Sequence, residues 1–318
     1  MDFLGLESYL VAMLTTVGIY AVLSLGLNVQ FGLTGQINIG IAGFYAVGAY
    51  TAAILTTSES VHHLGGFGLP FVIGLAGAVL MSALIALPIG LVTIRLRSDY
   101  LAIATIGIAE IIRLVFKNED WLSNGVRGIP GIERPLAGWL GTNAHVTLAV
   151  VLVVLAVVWW LCERARVSPW GRVLRAIREN EQGVTAAGKD VVRFRVQAFV
   201  VGAAIMGLGG ALYAHVVGFI SPEAFMPLHA TFLVWVMLIA GGAGNNTGAI
   251  VGALIIWLVW SGTELVTGRL PPEFATQASS VRVLMIGVLL QVILIARPQG
   301  LLPERAPRAV GAARGRGK

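Results

Sequence analysis

Long stretches without a charged side chain constrain this chain more than any other feature of its sequence. Asp, Glu, Lys and Arg are all absent from Ser8 to Ser58, from Ser60 to Ile94, from Pro135 to Cys162 and from Ala224 to Thr263. A helix that crosses a bilayer needs about 20 mostly apolar residues, so each run can hold at least one. Charged residues make up 12% of the 318 residues, whereas a soluble domain has about 25%. The sequence therefore predicts an all-α, polytopic integral membrane protein.

Glycines, prolines and charged residues divide the chain into candidate spans, and about eight to ten transmembrane helices are expected. The candidate spans are 8–30, 35–57, 67–94, 99–117, 143–162, 195–219, 229–243, 246–266 and 279–296. The span 229–243 is about 22 Å long at 1.5 Å per residue, which is short for a bilayer and indicates a broken or re-entrant helix. Residues 1–300 are interpreted as one transmembrane domain, and the basic tail 301–318 is expected to be disordered and cytoplasmic.

The basic residues predict the orientation of these spans. Of the 22 Lys and Arg residues, two lie at 95–97, eight at 164–195 and six at 297–318. Lys and Arg accumulate on the cytoplasmic side of membrane proteins, and these segments share one side if the N-terminus is outside and nine spans follow. The first basic residue is Arg95, so the first span lacks the positive flank of a cleavable signal peptide and is expected to be permanent.

The inner segment 163–195 is predicted to contain a short amphipathic helix. Ser168-Pro-Trp is typical of a helix start, with Ser168 as N-cap, and Gly188 is expected to end the helix. One face carries arginines at every third position, and another carries mainly apolar side chains. These faces are Arg172, Arg175 and Arg178, and Leu174, Ile177, Glu181 and Val184. Such a helix either lies on the anionic inner leaflet or binds in a groove of a cytoplasmic partner, and the periodicity alone favours lipid.

The outer loop 118–142 is the second hydrophilic segment large enough to meet a partner. Its stretch Asn124 to Ile132 is rich in proline and glycine, which are typical of a loop rather than a helix. It is interpreted either as a connection or as a docking surface for an extracytoplasmic protein.

Two charged residues are predicted to lie at membrane depth. Glu110 is about 16 Å along its span from Asp99, near the middle of a hydrocarbon core about 30 Å thick. Arg113 follows three positions later on the same face. A charge at this depth is costly unless it is paired or wetted. Glu110 and Arg113 are therefore expected either to neutralise each other or to line or gate a permeation path.

Glycine-rich interruptions set amide side chains at membrane depth or its edge. They are the stretches from Asn28 to Asn38 and from Gly241 to Gly248. Transporters often build central sites where helices break, because the freed backbone groups can hold polar cargo. The alternative is that these are tight turns and that the glycines allow close helix packing. The candidate path-lining amides are Gln36, Asn38, Asn245 and Asn246.

The sequence carries no pattern that indicates catalysis or a cofactor. It has no G-x-x-x-x-G-K-[ST] phosphate loop and no H-E-x-x-H zinc motif, and Cys162 is its single cysteine. No catalytic residue, metal ligand or cofactor is therefore predicted, and the chain is not expected to be an enzyme. The net charge of +6 is concentrated in the predicted cytoplasmic segments, so nucleic acid is not expected as a partner.

Several motifs in order along the chain resemble the permease subunits of branched-chain amino-acid ABC importers. They are Gly32 to Ala52 (G-L-T-G-Q-I-N-I-G-I-A-G-F-Y-A-V-G-A-Y-T-A), Arg97 to Arg113 (R-S-D-Y-L-A-I-A-T-I-G-I-A-E-I-I-R), Gly171 to Glu181 (G-R-V-L-R-A-I-R-E-N-E), Ala198 to Phe225, Gly241 to Ala253 and Arg297 to Leu301. The R-S-D-Y-L-A-I-A-T motif is similar to that of the M-type (LivM-like) subunit. Two departures concern the cargo: many relatives have Ser and His where this chain has Asn38 and Ile41, and T-G-G where it has Ser123-Asn-Gly.

The resemblance implies a fold of the importer permease type in a bacterial plasma (inner) membrane. The implied partners are a second homologous permease, two cytoplasmic ATPase subunits, a periplasmic or lipid-anchored solute-binding protein that contacts the outer loop, and membrane lipid. The inner helix then corresponds to the family's coupling helix, which docks on the ATPase. The residues expected to act there are Gly171, Arg172, Arg175, Ala176, Arg178, Glu179, Glu181 and Gly188.

The resemblance also implies the function, which is ATP-driven import of leucine, isoleucine or valine. An importer of urea, short amides or another small polar solute would share this architecture. An ion-coupled secondary carrier would use Glu110 as a proton site but would leave the inner amphipathic helix without a role.

Overall fold

The computed structural model describes residues 3–59, 63–94, 96, 98–137, 141, 143–267 and 275–304. Within these ranges almost all regular structure is helical, as predicted. The α-helices are α1 (Phe3–Leu27), α2 (Ile41–Thr56), α3 (Phe71–Thr93), α4 (Ser98–Asn118), α5 (Asp120–Ser123), α6 (Ala144–Val167), α7 (Pro169–Glu179), α8 (Glu181–Ala186), α9 (Val191–Val217), α10 (Leu233–Gly241), α11 (Asn246–Thr267) and α12 (Ala275–Ala296). The π-helical turn Asn28–Gly32 extends α1, and the π-helical turn Leu228–Phe232 precedes α10.

Each predicted span corresponds to a helix or to a helix with its π turn. Five are long and apolar enough to cross a membrane: Gly5–Gly32, Phe71–Thr93, Ala144–Val167, Val191–Val217 and Asn246–Thr263. Three more apolar helices are shorter: Ile41–Thr56, Leu228–Gly241 and Val283–Ala296. The helix α4 carries the charged residues Asp99, Glu110, Arg113 and Lys117. The all-α membrane fold is therefore confirmed, while the number of crossings and their orientation stay predictions.

The centre of the bundle is built around α2 and α9, which touch through glycines. A Cβ atom on Gly48 of α2 would collide with the backbone of Gly207 in α9, and one on Gly210 would collide with the carbonyl of Tyr45. Small residues at these positions let two helix backbones approach closely, as is common in membrane proteins. The face of α2 that meets the outer end of α4 is aromatic, because the rings of Tyr50 and Phe116 stack with centroids 4.1 Å apart.

The chain breaks between α1 and α2, where the predicted span 35–57 is helical only from Ile41. Residues 35–40 are irregular backbone, which is tolerated at membrane depth only where protein or a cavity supplies partners. Side chains of other helices do so here. The N–H of Ile39 donates to Thr105 Oγ1 at 3.0 Å, and Trp235 Nε1 donates to the carbonyl of Asn38 at 3.0 Å. The expected broken helices therefore include this segment.

A second break separates α10 from α11. The backbone turns through Gly242 and Gly244, whose φ angles of 115° and 86° favour glycine. The N–H groups of Leu301 and Leu302 donate to the last carbonyls of α10, those of Ala240 and Gly241, each at 2.9 Å. The predicted boundary of a disordered tail at residue 301 is therefore wrong for residues 301–304, because these backbone bonds fix them. Residues 305–318 lie outside the described residues.

The outer loop has more structure than its proline and glycine content predicts. It contains α5, a 3₁₀ turn at Gly125–Arg127 and the short strand β1 (Ile129–Pro130). This strand pairs antiparallel with β2 (Phe219–Ile220), with Ile129 opposite Ile220. The pairing attaches the loop to the end of α9, so the described part of the loop has a fixed shape.

Candidate functional site

A cavity of about 670 Å³ lies beside the first break. It is lined by Ile39, Ala42, Ile106, Ala109, Glu110, Phe225, Pro227, Leu228, Thr231, Phe232 and Trp235. The wall is apolar apart from Glu110, Thr231 and the Trp235 indole, whose N–H is bound to Asn38. Cavities of this size, with an apolar wall and few polar groups, are typical of small-molecule sites.

The carboxylate on this wall is paired, as one of the two sequence-based interpretations predicts. Arg113 Nε donates to Glu110 Oε2 at 3.0 Å, and Arg113 Nη2 donates to Glu110 Oε1 at 2.6 Å. Arg113 Nη1 also lies 3.7 Å from Glu223, which in turn accepts from Lys117 Nζ at 3.0 Å. The charges form an alternating row that joins α4 to the 3₁₀ turn Pro222–Phe225. Glu110 is therefore both neutralised and placed on the cavity wall, and its part in a permeation path stays a prediction.

The four candidate amides hold the breaks together and do not line this cavity. Gln36 Nε2 donates to the carbonyl of Arg195 at 3.0 Å, while its Oε1 is buried without a partner. Asn38 Nδ2 donates to Gln30 Oε1 at 2.8 Å.

At the second break, Asn245 Oδ1 accepts from the N–H of Thr247 at 3.0 Å, at the start of α11. Asn246 is 1% exposed and donates to Glu163 Oε2 at 3.0 Å. The structure assigns all four amides internal bonds, and a path-lining role for them stays a prediction.

The predicted amphipathic segment begins as expected but consists of two helices rather than one. The hydroxyl of Ser168 accepts from the N–H of Gly171 at 3.3 Å, and Pro169 is the first residue of α7. The helix then stops at Asn180, which has φ −154° and caps α8 by accepting from the N–H of Gly183 at 2.9 Å. The prediction of a continuous helix was wrong because a side-chain cap at Asn180 competes with helix continuation. Gly188 has φ 75° and follows the end of α8, as predicted.

Two of the three arginines of α7 point inward, together with its apolar side chains. Arg175 is 7% exposed, and Leu174 and Ile177 beside it are buried. Arg175 Nη2 donates to the carbonyl of Arg166 at 3.3 Å. Arg172 alone of the three is exposed. The structure therefore does not present the three arginines as one cationic face, and the role of this helix stays a prediction.

The opposite side of α7 and α8 is open. Arg172, Ala176 and Glu179 are exposed on α7. Where the two helices bend, an open notch of about 840 Å³ is lined by Glu179, Asn180, Glu181, Gln182, Thr185 and Ala186. This open polar surface is accessible from outside the helix pair.

Gly171 has a structural role in addition to the predicted one. A Cβ atom at this position would collide with the carbonyl oxygens of Ala165 and Arg166 at the end of α6. Only glycine lets α7 begin this close to α6, so Gly171 sets the position of the whole helix pair.

A polar cluster that sequence reasoning missed lies between α7 and the two breaks. Glu163 forms a two-pronged pair with Arg166, with Arg166 Nε donating at 3.0 Å, and also accepts from Asn246. Asn28 Nδ2 donates to Asn246 Oδ1 at 2.9 Å and thereby ties the first break to the second. The spacing of Glu163 and Arg166 by three residues was the one available sequence signal.

Glu304 completes this cluster from the C-terminal segment. It accepts from Arg178 Nη2 at 2.6 Å and lies 3.6 Å from Arg175 Nη1. Within the described residues, no group of three His, Cys, Asp or Glu side chains is arranged to hold a metal ion. These bonds connect the surface helix α7 to the C-terminal segment and the end of α6 to the start of α11.

Comparison with known proteins gives one consistent result. Residues 9–294 match the family model described as branched-chain amino acid transport system / permease component. The chain is 34% identical over 316 residues to the high-affinity branched-chain amino acid transport system permease protein LivM of Salmonella typhimurium. The aligned region covers 91% of this chain and 69% of that protein. The identity to LivM of Escherichia coli is 33% over 326 residues, covering 93% and 71% respectively.

A second type of permease is a more distant relative. LivH of Salmonella typhimurium is 23% identical over 289 residues, covering 88% of this chain and 92% of that protein. No solved structure matches the chain significantly.

Proposed function

The chain belongs to the family of permease components of branched-chain amino acid transport systems, and we propose that it forms half of the membrane pathway of an ATP-driven importer of leucine, isoleucine and valine. The observation that carries the mechanism is the helix pair α7–α8. Its inner face is bonded through Arg178 to the carbonyl of Gly32, at the end of the π turn that leads into the first break, and to Glu304, and its outer face is open. A separate ATPase that moved this pair would therefore move the bundle.

The partners follow from the same family. LivM and LivH relatives support a second, homologous permease beside this one. Of the two cytoplasmic ATPase subunits, one would bind the exposed face of α7 and the notch at Asn180, and the other would bind the second permease. A solute-binding protein would dock on the outer loop, whose strand pairing gives it the fixed shape that docking without large rearrangement requires. In this arrangement α7 and the C-terminus face the cytoplasm of a bacterial cell, and the N-terminus faces outward.

The cavity supports an aliphatic cargo. Its wall would bury a branched hydrocarbon side chain, and Glu110 on that wall offers a carboxylate to the ammonium group of an amino acid. Urea or a short amide would find few hydrogen-bonding groups on the same wall. Because both oxygens of Glu110 accept from Arg113, this carboxylate is also poorly suited to the proton-binding role that an ion-coupled carrier would require.

Reconstitution in proteoliposomes tests the proposal. The chain, its second permease, the ATPases and the binding protein should take up labelled leucine only with ATP, and unlabelled isoleucine and valine should compete while urea does not. Ile106→Trp, which fills the cavity, should lower uptake about tenfold, as expected when a bound side chain loses roughly 1.4 kcal/mol of contact. Ile103→Trp is the matched control, since Ile103 lies three residues earlier on α4, is 66% exposed and does not line the cavity.

Two outcomes would contradict the proposal. Leucine accumulation by the chain alone without nucleotide would remove the ATPase from the mechanism. Competition by urea but not by isoleucine would mean that the cargo is a small polar solute and not a branched-chain amino acid.

A further inference from the structure

The π turn Asn28–Gly32, which leads into the first break, lies against the second break, although the two are about two hundred residues apart in sequence. A Cβ atom on Gly32, at the end of the first π turn, would lie 2.6 Å from the backbone nitrogen of Gly244 in the second break. That same N–H donates to Asn28 Oδ1 at 2.8 Å. The C-terminal end of the first helix and the turn before α11 therefore form one contact.

Arg178 of α7 lies over this contact and reaches both breaks. Its Nη1 donates to the carbonyl of Gly32, one of the carbonyls left without a helical partner where a helix ends. A guanidinium at this position also interacts favourably with the negative end of the helix dipole. On the other side, a Cβ atom on Gly244 would lie 3.2 Å from Arg178 Nη1. Arg178 is therefore the α7 side chain that lies where the end of α1 meets the second break, and a Cβ atom on Gly35 of the first break would lie 3.3 Å from its Cγ.

Glu304 holds Arg178 in this position. Its Oε2 accepts from Arg178 Nη2 at 2.6 Å, so one guanidinium bridges Glu304 and the carbonyl of Gly32. The Arg178 side chain is 25% exposed and that of Glu304 is 22% exposed. Charge-assisted bonds of this kind are shorter and stronger than neutral ones, and the partial burial limits screening by salt.

The carboxylate is itself anchored to the second break. The segment before it is bonded to the last carbonyls of α10 through the N–H groups of Leu301 and Leu302. Asn245 Nδ2 donates to the carbonyls of Leu302 and Pro303 at 3.2 and 3.3 Å. Arg178 therefore connects α7 to the end of α1, and Glu304 connects α7 to the end of α10, whose Trp235 lines the cavity.

We propose that Glu304 is a positioning residue for transport: it fixes Arg178 on the carbonyl of Gly32 and so links the ATPase-driven helix α7 to both helix breaks. The inference rests on the proposed function, because it requires an ATPase that moves α7. Without the carboxylate, Arg178 is free to leave Gly32, and movement of α7 is no longer passed on in full.

Glu304→Gln tests this link, because the substitution preserves the shape of the side chain and removes its charge. In proteoliposomes with the complete transporter, the number of leucine molecules taken up per ATP hydrolysed should fall about tenfold, the factor expected for one lost charge-assisted bond. Assembly and ATP hydrolysis should be retained. Glu7→Gln is the control, since Glu7 also has a basic ring beside it, with His145 Nε2 at 3.4 Å, and lies far along the chain from α7. The number of leucine molecules taken up per ATP in this variant should equal that of the wild type.

A double variant tests whether Glu304 acts through Arg178. If Glu304 acts through Arg178, the double variant Arg178→Gln, Glu304→Gln should take up as many leucine molecules per ATP as Arg178→Gln alone. A ratio lowered by the product of the two single-variant effects would overturn the proposal. An unchanged ratio in Glu304→Gln would overturn it as well. Should Glu304→Gln fail to assemble, Glu304→Asp takes its place: the shorter carboxylate should lower the ratio about threefold, and a wild-type ratio would refute the link. Failure of the proposed function is distinguished by the wild-type complex, which would then show no ATP-dependent leucine uptake.

Discussion

Two ion pairs of this chain each lie on a single turn of helix. Glu110 with Arg113 and Glu163 with Arg166 are both spaced by three residues, and in each the guanidinium bonds both carboxylate oxygens. A lone charge in a membrane interior costs at least a few kcal/mol, while a two-pronged pair leaves little charge uncompensated. Pairing therefore allows a carboxylate to lie on the wall of an otherwise apolar cavity.

Glu110→Ala should destabilise the protein because it leaves Arg113 without its closest partner. The Arg113 side chain is 15% exposed, and its remaining acceptor, Glu223, is 3.7 Å away. Breaking a buried pair by removing one partner costs about 3–5 kcal/mol, which partial exposure and Glu223 should reduce to about 2 kcal/mol. The measurement is the midpoint of thermal unfolding in detergent.

The matched control for this prediction is Glu223→Ala, which removes the more distant and more exposed partner of Arg113. Its midpoint should fall much less. Equal midpoints for the two variants would mean that the bond between Glu110 and Arg113 contributes nothing to stability.

The pair on α4 could be predicted from sequence, whereas the contacts of Asn28 and Arg178 could not. Glu110 and Arg113 share one helix, so helical periodicity alone places them together. Asn28 and Asn246 are 218 residues apart, and Arg178 and Glu304 are 126 residues apart. Only the packing of the whole bundle brings those groups into contact, and no local pattern records it.

At the scale of elements, the position of α7 depends on its close approach to α6 at Gly171. Gly171→Ala should push α7 away from the carbonyls of Ala165 and Arg166. Overpacking of this kind costs about 1–3 kcal/mol, so binding of the ATPase to the permease pair should weaken about tenfold. Titration of the ATPase onto the reconstituted permease pair measures the affinity.

Gly287→Ala in α12 serves as the control, because a Cβ atom at Gly287 meets nothing within 4 Å. It should leave ATPase affinity unchanged and slightly favour the helix. If Gly171→Ala binds the ATPase as tightly as the wild type, α7 does not need this approach to α6 for docking.

The elements themselves were predictable where apolar runs are long and bounded by charges. The fourth span was predicted at 99–117, and α4 covers Ser98–Asn118. The start of α2 was missed because residues 35–40 continue the same uncharged pattern and become irregular only through partners such as Thr105 and Trp235. The bend at Asn180 was missed because its cap competes with an otherwise uninterrupted helical periodicity.

For the whole molecule, the distribution of basic residues predicts which side α8 faces. Cys162, the single cysteine, is 4% exposed and should react poorly with thiol reagents. Gln182→Cys would place an accessible thiol in the notch of α8. A membrane-impermeant maleimide should label it only after the cytoplasmic side has been opened.

Ser58→Cys, on the exposed segment after α2, is the control and should be labelled in intact cells. If Gln182→Cys is labelled from outside intact cells and Ser58→Cys is not, the true orientation is the reverse of the predicted one.

The anchoring of Glu304 has a consequence for biogenesis. A ribosome makes the chain from its N-terminus, so α7 and the helices around both breaks are synthesised before residue 304. Until then the carbonyls of Ala240 and Gly241 have no N–H groups of Leu301 and Leu302 to bind, and Arg178 has no carboxylate at its side. The unfinished permease thus lacks the bond between Arg178 and Glu304, and this link between α7 and the C-terminal segment forms only when synthesis has passed α12.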